Sequence, residues 1–292
     1  VEKTAPGVWS RAIGRGDPFD PPWPDVLITC GRRSAPLSIV LREKSGGAIF
    51  TVHIQDPRRP PSRFDLVVAM EHDRLPAGPN VIEVATALHG LTPEILAAAG
   101  AAWSERFAGL GRPMAGIMIG GSARGNPFTD DHGRRLLAAL ERLRGEAGAA
   151  LAITPSRRTP AALLARLRGA FEGDRRVFIW DGTGENPYAG ILALSDRLVV
   201  TGDSVSMVSE ALATGRPVEV FDLGFRRYAP FLRRLEARGL TRRFEGDASP
   251  PPVRPPVNAT FEVAAVVRRL AQGRTGVSGK ASWPRSRQSA VT

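Results

Sequence analysis

Two arginine-bearing corners and one serine-rich helix start hold the residues of this chain best suited to grip an anion. The first corner reads ITCGRRSAP (28–36) and the second ITPSRRTPA (153–161). In each, an apolar run meets a short turn, two arginines, a hydroxyl residue and a proline. Guanidinium groups offer paired donors that match phosphate or carboxylate. A helix beginning just beyond adds unpaired N–H groups and the positive end of its dipole. The candidates are Arg32 and Arg33 in the first corner, and Ser156, Arg157, Arg158 and Thr159 in the second. The plainer alternative is that Ser34 and Thr159 cap helices while the arginines face water.

The stretch VVTGDSVSMVSEALATGRPV (199–218) carries the most information. An apolar run enters Gly202-Asp203, Ser204 and Ser206 fall where a helix starts, and Glu210 follows one to two turns in. Backbone N–H groups with two serine hydroxyls suit a diphosphate, and a carboxylate placed like Glu210 suits a ribose diol. The alternative is an ordinary helix capped by Asp203 or Ser204. IGGSARGNP (119–127) adds Gly120, Gly121 and Ser122 at another strand end, and DGTGENPYAG (181–190) adds Asn186 and Tyr188 in a loop that also reads as a simple turn.

Earlier in the chain, MEHDRLPAGPN (70–80) follows a buried run directly, so Glu71, His72 and Asp73 bring three titratable groups to one strand end. Acid–base work or contact with an acceptor suits them, with a structural loop network as the alternative. Three adjacent residues rarely chelate one metal, so no metal site is expected. His89, in TALHGLTPE, is open between roles. No GxSxG, P-loop or cysteine cluster occurs, and the missing GxGxxG argues against an NAD enzyme. No cofactor is expected.

The elements that must position these residues follow from periodicity. Short β-branched apolar runs predict strands at 25–30, 48–54, 65–70, 80–86, 115–121, 150–156, 176–182, 197–203 and 217–224. Capped amphipathic patterns predict helices at 34–44, 92–103, 130–146, 159–171, 186–196, 204–215, 227–239 and 259–273. Strands alternating with helices at this spacing mean βαβ units and parallel sheets. The expected fold is therefore α/β with two Rossmann-like domains. A Pro/Gly-rich lead (1–24) precedes an N-terminal domain (25–113), a C-terminal domain (114–273) and a basic, disordered tail (274–292). Ligands of such sheets gather beyond the carboxyl ends of the strands, where all the corners named above fall.

Composition narrows the function classes. The 292 residues are 42% hydrophobic and 24% charged, an ordinary globular balance with no run long enough to span a membrane. The first residues lack the apolar core of a secretory signal. The lone Cys30 cannot form an internal disulfide, which makes a cytoplasmic setting the default. The chain begins with Val1 rather than Met, which leaves open a non-ATG start or further sequence upstream. Net charge is +11 and nearly all of it is arginine, with lysine only at Lys3, Lys44 and Lys280. Outside the tail, where Arg274, Lys280, Arg285 and Arg287 meet no acid, that charge is spread rather than striped with aromatics. This is not the pattern of a nucleic-acid binder. An anionic small ligand fits, and the basic surface is open to peripheral contact with a membrane.

QDPR (55–58), FDLVVAMEHD (64–73), TPSRRTP (154–160), DGTGENPYAGILALSD (181–196) and VVTGDSVSMVSEALATGRPV (199–218) resemble the mitochondrial-fission "elongated mitochondria" family. The resemblance covers roughly residues 23 to 245. It implies a first βα unit that this N-terminal domain lacks. The second half is more distantly similar to the donor domain of glycosyltransferases with two facing Rossmann domains, the GT-B architecture. That likeness implies that a stretch like 199–215 binds a nucleotide diphosphate and that Glu210 holds the ribose. Heptosyltransferases carry a similar Asp-(Ser/Thr)-Gly turn, matched here by Asp203 and Ser204, with Val205 in place of the glycine. The implied activity is binding of a nucleotide-diphosphate sugar and glycosyl transfer. Ser156, Arg157, Arg158, Thr159, Asp203, Ser204, Ser206, Met207 and Glu210 would hold the donor, and Glu71, His72 or Asp73 would act as base or acceptor contact. Two alternatives come with the resemblance: a non-catalytic adaptor of the fission type, and a sugar-nucleotide epimerase.

Overall fold

The computed structural model describes residues 19–73, 75–123 and 125–275, with Arg274 and Thr275 described by their backbone alone. The basic tail beyond Thr275 and most of the Pro/Gly-rich lead lie outside the described residues. The chain forms two compact units, one of Val1–Ala85 with Phe261–Thr292 and the other Thr86–Thr260.

The first unit is built on a parallel sheet of β1 (Val26–Cys30), β2 (Phe50–Ile54), β3 (Leu66–Met70) and β4 (Val81–Val84), in that order across the sheet. Every residue of β3 is buried, as expected of a strand covered on both faces. Helix α1 (Ala35–Lys44) starts with a proline in its first turn and is tied to the sheet by Asp65. That carboxylate accepts from Arg42 Nε and Nη2 at 3.1 and 3.0 Å and from the Thr51 N–H and hydroxyl at 2.9 Å each. Ala35, Phe64, Val67 and Val81 form the core beneath α1. Ser34 precedes α1 but does not cap it with its side chain. Its hydroxyl donates backwards, to the carbonyls of Cys30 at 2.8 Å and Gly31 at 3.1 Å, closing the corner instead.

The second unit carries a six-stranded parallel sheet. Its strands are β5 (Met114–Ile119), β6 (Ala150–Pro155), β7 (Val177–Ile179), β8 (Arg197–Thr201), β9 (Val218–Phe221) and β10 (Arg242–Arg243), ordered β10-β9-β8-β5-β6-β7. The chain thus winds outward from β5 in one direction, returns to β8 beside β5, and winds outward in the other. This is the Rossmann order, and the β5/β8 seam is its switch point, where loops diverge and leave a crevice. Helices α3 (Asp130–Glu146) and α4 (Ala161–Ala170) follow β5 and β6, α5 (Tyr188–Leu194) precedes β8, and α6 (Val205–Leu212) and α7 (Ala229–Ala237) flank β9. Helix α8 (Ala259–Thr275) runs from this unit into the first.

Helix α2 (Pro93–Ala108) runs a turn beyond its expected end because Trp103 and Phe107, one turn apart, continue its buried face. They stack with Phe178 of β7, the ring centroids of Phe107 and Phe178 lying 5.3 Å apart. Helix α5 meets α2 at Gly190, where a β-carbon would stand 2.4 Å from Trp103. The expected strand at 176–182 is shorter: the Trp180 N–H still donates to the Ile153 carbonyl of β6, but the chain turns beyond it and the Trp180 indole N–H donates to the Thr183 carbonyl at 2.7 Å. On α3 a reciprocal cap holds the start: the Thr129 hydroxyl accepts from the His132 N–H, and His132 Nδ1 accepts from the Thr129 N–H.

At the opposite end of the sheet from the strand carboxyl ends, Arg197 and Glu219 are both buried and paired. Arg242 adds a second guanidinium at 2.7 Å from Glu219 Oε1, and Arg197 also donates to the Asp247 and Ala248 carbonyls at 3.0 Å. Breaking such a group strands buried charge. Glu219→Ala should cost about 3–5 kcal/mol by urea unfolding, and a loss under about 1 kcal/mol would contradict this reading.

His53 is fully buried in β2, with Nδ1 2.9 Å from the Thr29 hydroxyl. Burial lowers its pKa from 6.5, against a weaker pull upward from Asp56. The unfolded chain therefore takes up a proton near pH 6.5 that the folded chain resists. Stability is full above that pH and falls as pH drops below it. The urea midpoint should decline from pH 7 to pH 5, and less steeply in His53→Gln; equal slopes would contradict the assignment.

Candidate functional site

The carboxyl ends of β5, β6 and β8 close on one another through a single buried carboxylate. Asp203 stands two residues beyond β8 with its side chain fully shielded. Its Oδ1 accepts from the Thr201 hydroxyl at 2.7 Å, and its Oδ2 accepts from the Gly121 N–H at 2.9 Å. Arg158 Nη2 approaches the same Oδ2 at 2.8 Å, and Arg158 Nη1 donates to the Ser122 carbonyl at 3.0 Å. Thr201 Oγ1 accepts in turn from the Gly120 N–H at 2.7 Å. The two glycine N–H groups are therefore engaged by side chains at the end of β8 and in the loop beyond it.

What the glycines supply is proximity. A β-carbon on Gly120 would lie 2.1 Å from Asp203 Oδ2, and one on Gly121 would lie 1.9 Å from the Arg158 carbonyl oxygen. No L-side chain fits either place, so the β5 loop can lie flat against the β6 and β8 loops only as glycine. Thr159 completes the junction. Its hydroxyl donates to the Ile119 and Gly120 carbonyls (2.9 Å and 2.5 Å) and accepts from the Ser156 N–H at 2.9 Å. It does not cap α4, which starts after Pro160. The Ser156 hydroxyl accepts from the Arg158 N–H at 3.2 Å. Both arginines are exposed, but Arg158 pairs with Asp203, whereas Arg157 makes no ion pair with a described residue.

Helix α6 opens beside this junction. Ser204 is its cap, accepting from the Met207 N–H at 3.3 Å, and the Val208 N–H bonds the Ser204 carbonyl. Val205 and Ser206 are left as first-turn donors, with the Ser206 side chain exposed. Glu210 lies one turn on and accepts a short hydrogen bond from the Tyr188 hydroxyl. Burial, then the Glu210 charge and this bond, push the Tyr188 pKa far above its ordinary value. Asn186 turns the chain into α5, its side-chain oxygen accepting from the Tyr188 N–H at 3.0 Å.

His89, open between roles in the sequence, is a fixed part of this surround. Its Nδ1 accepts from the Leu91 N–H at 3.2 Å, and burial lowers its pKa against an opposing pull from Glu210. Reciprocal bonds of 3.0 Å join its backbone to Thr260, and the neighbouring Ala87 N–H donates to the Ser209 hydroxyl of α6 at 2.9 Å. Thr201 is the residue that sequence reasoning passed over; the only signal was a hydroxyl at the last strand position of VVTGD.

In the first unit, Arg32 and Arg33 are exposed on the corner after β1. Glu71, His72 and Asp73 form a single 3-10 turn at the carboxyl end of β3, and Asp73 Oδ2 accepts from the Met70 N–H at 3.1 Å. Among the described residues no three His, Cys, Asp or Glu side chains are grouped to hold a metal ion. No helix among them is long and apolar enough to cross a membrane.

Comparison with known proteins gives the family. The model of Mitochondrial fission ELM1 matches residues 3–271. The chain belongs to this family. The mitochondrial fission protein ELM1 of Arabidopsis thaliana is 32% identical over 272 residues, covering 84% of this chain and 64% of the plant protein. An uncharacterized protein of Rickettsia prowazekii is 26% identical over 231 residues, covering 68% of this chain and 64% of its own length. The chain thus spans a little under two thirds of each of these relatives. Among solved structures, the UDP-GlcNAc 2-epimerase of Methanocaldococcus jannaschii superposes with a TM-score of 0.58 at 12% identity, over 86% of this chain and 77% of that one. The same enzyme in complex with UDP-GlcNAc and UDP gives 0.50 at 12% identity, over 86% and 76%. At this identity the likeness establishes the fold alone: this ELM1-family chain has an α/β architecture with two parallel sheets, as in that epimerase.

The junction is tight enough to test by packing. Gly121→Ala should destabilise by about 3 kcal/mol, because the opposing atom is backbone and cannot rotate away. Gly145→Ala, in open space on α3, should be neutral or stabilise by up to about 1 kcal/mol. Equal effects of the two in urea unfolding would contradict the assigned geometry.

Proposed function

We propose that this chain binds a nucleoside-diphosphate sugar at the carboxyl ends of β5, β6 and β8 and transfers its glycosyl group to an acceptor hydroxyl. The observation that carries the reading is the division of labour at the switch point. Arg158, though exposed, is paired with the buried Asp203, while Arg157, exposed without an ion pair to a described residue, and the exposed Ser206 side chain serve, with the first N–H groups of α6, as anion donors. Donors of that kind at a helix start suit a diphosphate. The M. jannaschii structure determined with UDP-GlcNAc and UDP supports the same ligand class for this fold.

In the proposed reaction the acceptor oxygen bonds to the anomeric carbon as the bond to the diphosphate oxygen breaks. The nucleoside diphosphate leaves with that electron pair, and Arg157 with the α6 N–H groups stabilises the charge gathering on it. Glu210 takes the ribose diol, sharing its carboxylate with the Tyr188 hydroxyl. Ser156, Thr159, Gly120, Gly121, Ser122, Asp203, Ser204 and Met207 hold the cradle in shape, and Asn186 sets the entry to α5. For the acceptor proton we assign Glu71, His72 or Asp73 of the first unit, with Arg32 and Arg33 as further anion contacts there. The proposed setting is the cytoplasm, and membrane association through the basic surface is compatible with it.

A second reading rests on the family itself, whose plant member is named a mitochondrial fission protein. In that reading the fold serves protein contacts and the cradle is vestigial. Thermal shift of the full chain with UDP, GDP, ADP, CDP and their common sugars separates the two. A ligand at 100 times its Kd should add about 2.7 kcal/mol. A shift with one base, lost in Arg157→Ala and in Ser206→Ala, is the expected result; no shift from the folded chain would overturn the proposal. Conversion of the sugar nucleotide without an acceptor would mark epimerisation instead of transfer.

A further inference from the structure

The second unit holds another cleft, of about 550 Å³, whose lining shares no residue with the switch-point cradle. One wall is the outward face of α3, with Arg135, Ala138 and Arg142; the other is the chain leaving β9 and β10, with Asp222, Arg243 and Glu245. Ala139, Phe221 and Phe244, all buried, make the floor apolar. The walls are fixed against each other. Gly246, at φ +94°, passes so close to α3 that a β-carbon there would lie 2.6 Å from the Ala139 carbonyl oxygen.

The charges in this cleft do not cancel: Arg135, Arg142 and Arg243 line it with Asp222 and Glu245, three guanidinium groups to two carboxylates. Asp222 spends both oxygens: Oδ2 accepts from Arg243 Nη2 at 2.6 Å, and Oδ1 accepts from the Gly224 N–H at 2.8 Å. Arg243 and Asp222 therefore balance. The closest contacts of Arg135 and Arg142 are with main-chain carbonyls instead, Arg135 reaching Asp131 Oδ2 only at 4.0 Å. Arg135 Nη2 donates to the Asp222 carbonyl at 3.1 Å, with its guanidinium carbon 5.3 Å from the Phe221 ring centre. Arg142 makes a short bond to the Glu245 carbonyl. Main-chain carbonyls orient a guanidinium without removing its charge, and each retains donors for a ligand. The nearest acid to Arg135 outside the cleft, Asp131 at 4.0 Å, is already engaged by Arg134 at 3.1 Å. Arg135 and Arg142 are seven residues apart, about 10 Å along the helix, so they bracket the cleft lengthwise.

We propose that the groove between α3 and the ends of β9 and β10 is a second ligand site, taking a small organic phosphate whose anionic group pairs with Arg135 or Arg142 and whose apolar body lies on the Phe221–Phe244 floor. Its volume suits a ligand of mononucleotide size. The proposal does not depend on the function assigned to the switch-point cradle, because the two share no contact residue.

The test uses the full chain and three probes: phenyl phosphate, inorganic phosphate, and vesicles of neutral lipid with 20% phosphatidic acid, a fraction chosen as an order-of-magnitude surface charge. By calorimetry phenyl phosphate should bind at least about tenfold more tightly than inorganic phosphate, since only it covers the floor. Arg135→Gln with Arg142→Gln should weaken it by at least about tenfold. Ala138→Glu, an exposed substitution that removes no bond and adds a negative charge, should do the same if the doubly substituted chain fails to fold. Arg157→Ala should leave phenyl phosphate binding unchanged. Binding that survives both cleft variants, or that Arg157→Ala abolishes, would overturn the proposal. Vesicle binding that depends on the same arginines while phenyl phosphate does not bind would overturn it too, by assigning the phosphate to a lipid surface.

Discussion

One buried carboxylate sets the geometry on which the candidate site depends. Asp203 draws three strand ends together by accepting from a β5 loop amide, a β8 hydroxyl and a β6 loop guanidinium. A shielded carboxylate is costly unless each lone pair finds a donor, and here the donors come from elements far apart in sequence. The constraint works in both directions. The loops can meet only because Gly120 and Gly121 lack side chains, and the carboxylate can be buried only because the loops meet. Arg158 is engaged by this arrangement, while its neighbour Arg157 makes no ion pair with a described residue. Two adjacent arginines of identical chemistry thus take different tasks from the packing around them.

The rest of the second unit holds the junction still. Helix α3, capped at Thr129, carries the core beneath β5, and the buried Arg197–Glu219 pair, joined by the half-buried Arg242, anchors β8, β9 and β10 at their opposite ends. Helix α6 is pinned from its side by Ser209, whose hydroxyl accepts from the Ala87 N–H and donates to the Val205 carbonyl. A site built from loop ends needs such support, because a diphosphate is recognised by donors held in place before it arrives. The Tyr188–Glu210 bond contributes in the same way, fixing a carboxylate that would otherwise sample several rotamers.

Much of this was legible in the sequence, and what escaped has a common cause. Buried strands such as DLVVAM and RLVVTGD announce themselves as β-branched runs, and the strand–helix alternation implied parallel sheets. Ser204 at the start of α6 was legible as a cap because capping is local. Thr159 and Ser34 were not, because their hydroxyls turn back to carbonyls of the strand ends, Thr159 to those of β5 some 40 residues away. Gly120 and Gly121 were visible as glycines, but their N–H groups pair with Thr201 and Asp203 across the β5/β8 seam, a neighbour relation that depends on strand order. The packing of α2 on α5 through Trp103 and Gly190 is likewise a contact between distant segments. Local chemistry reads forward from residue types; partner choice waits on topology.

The most direct test of this account is a double-mutant cycle across the junction: Asp203→Asn, Arg158→Gln and the two together, each followed by urea unfolding at pH 7. If Asp203 and Arg158 form one unit that joins the β6 and β8 ends, the single losses should exceed their share of the double loss, giving a coupling of about 1 kcal/mol or more. Losses that add to within about 0.5 kcal/mol would mean that the two residues act independently. The clamp would then not be what shapes the site.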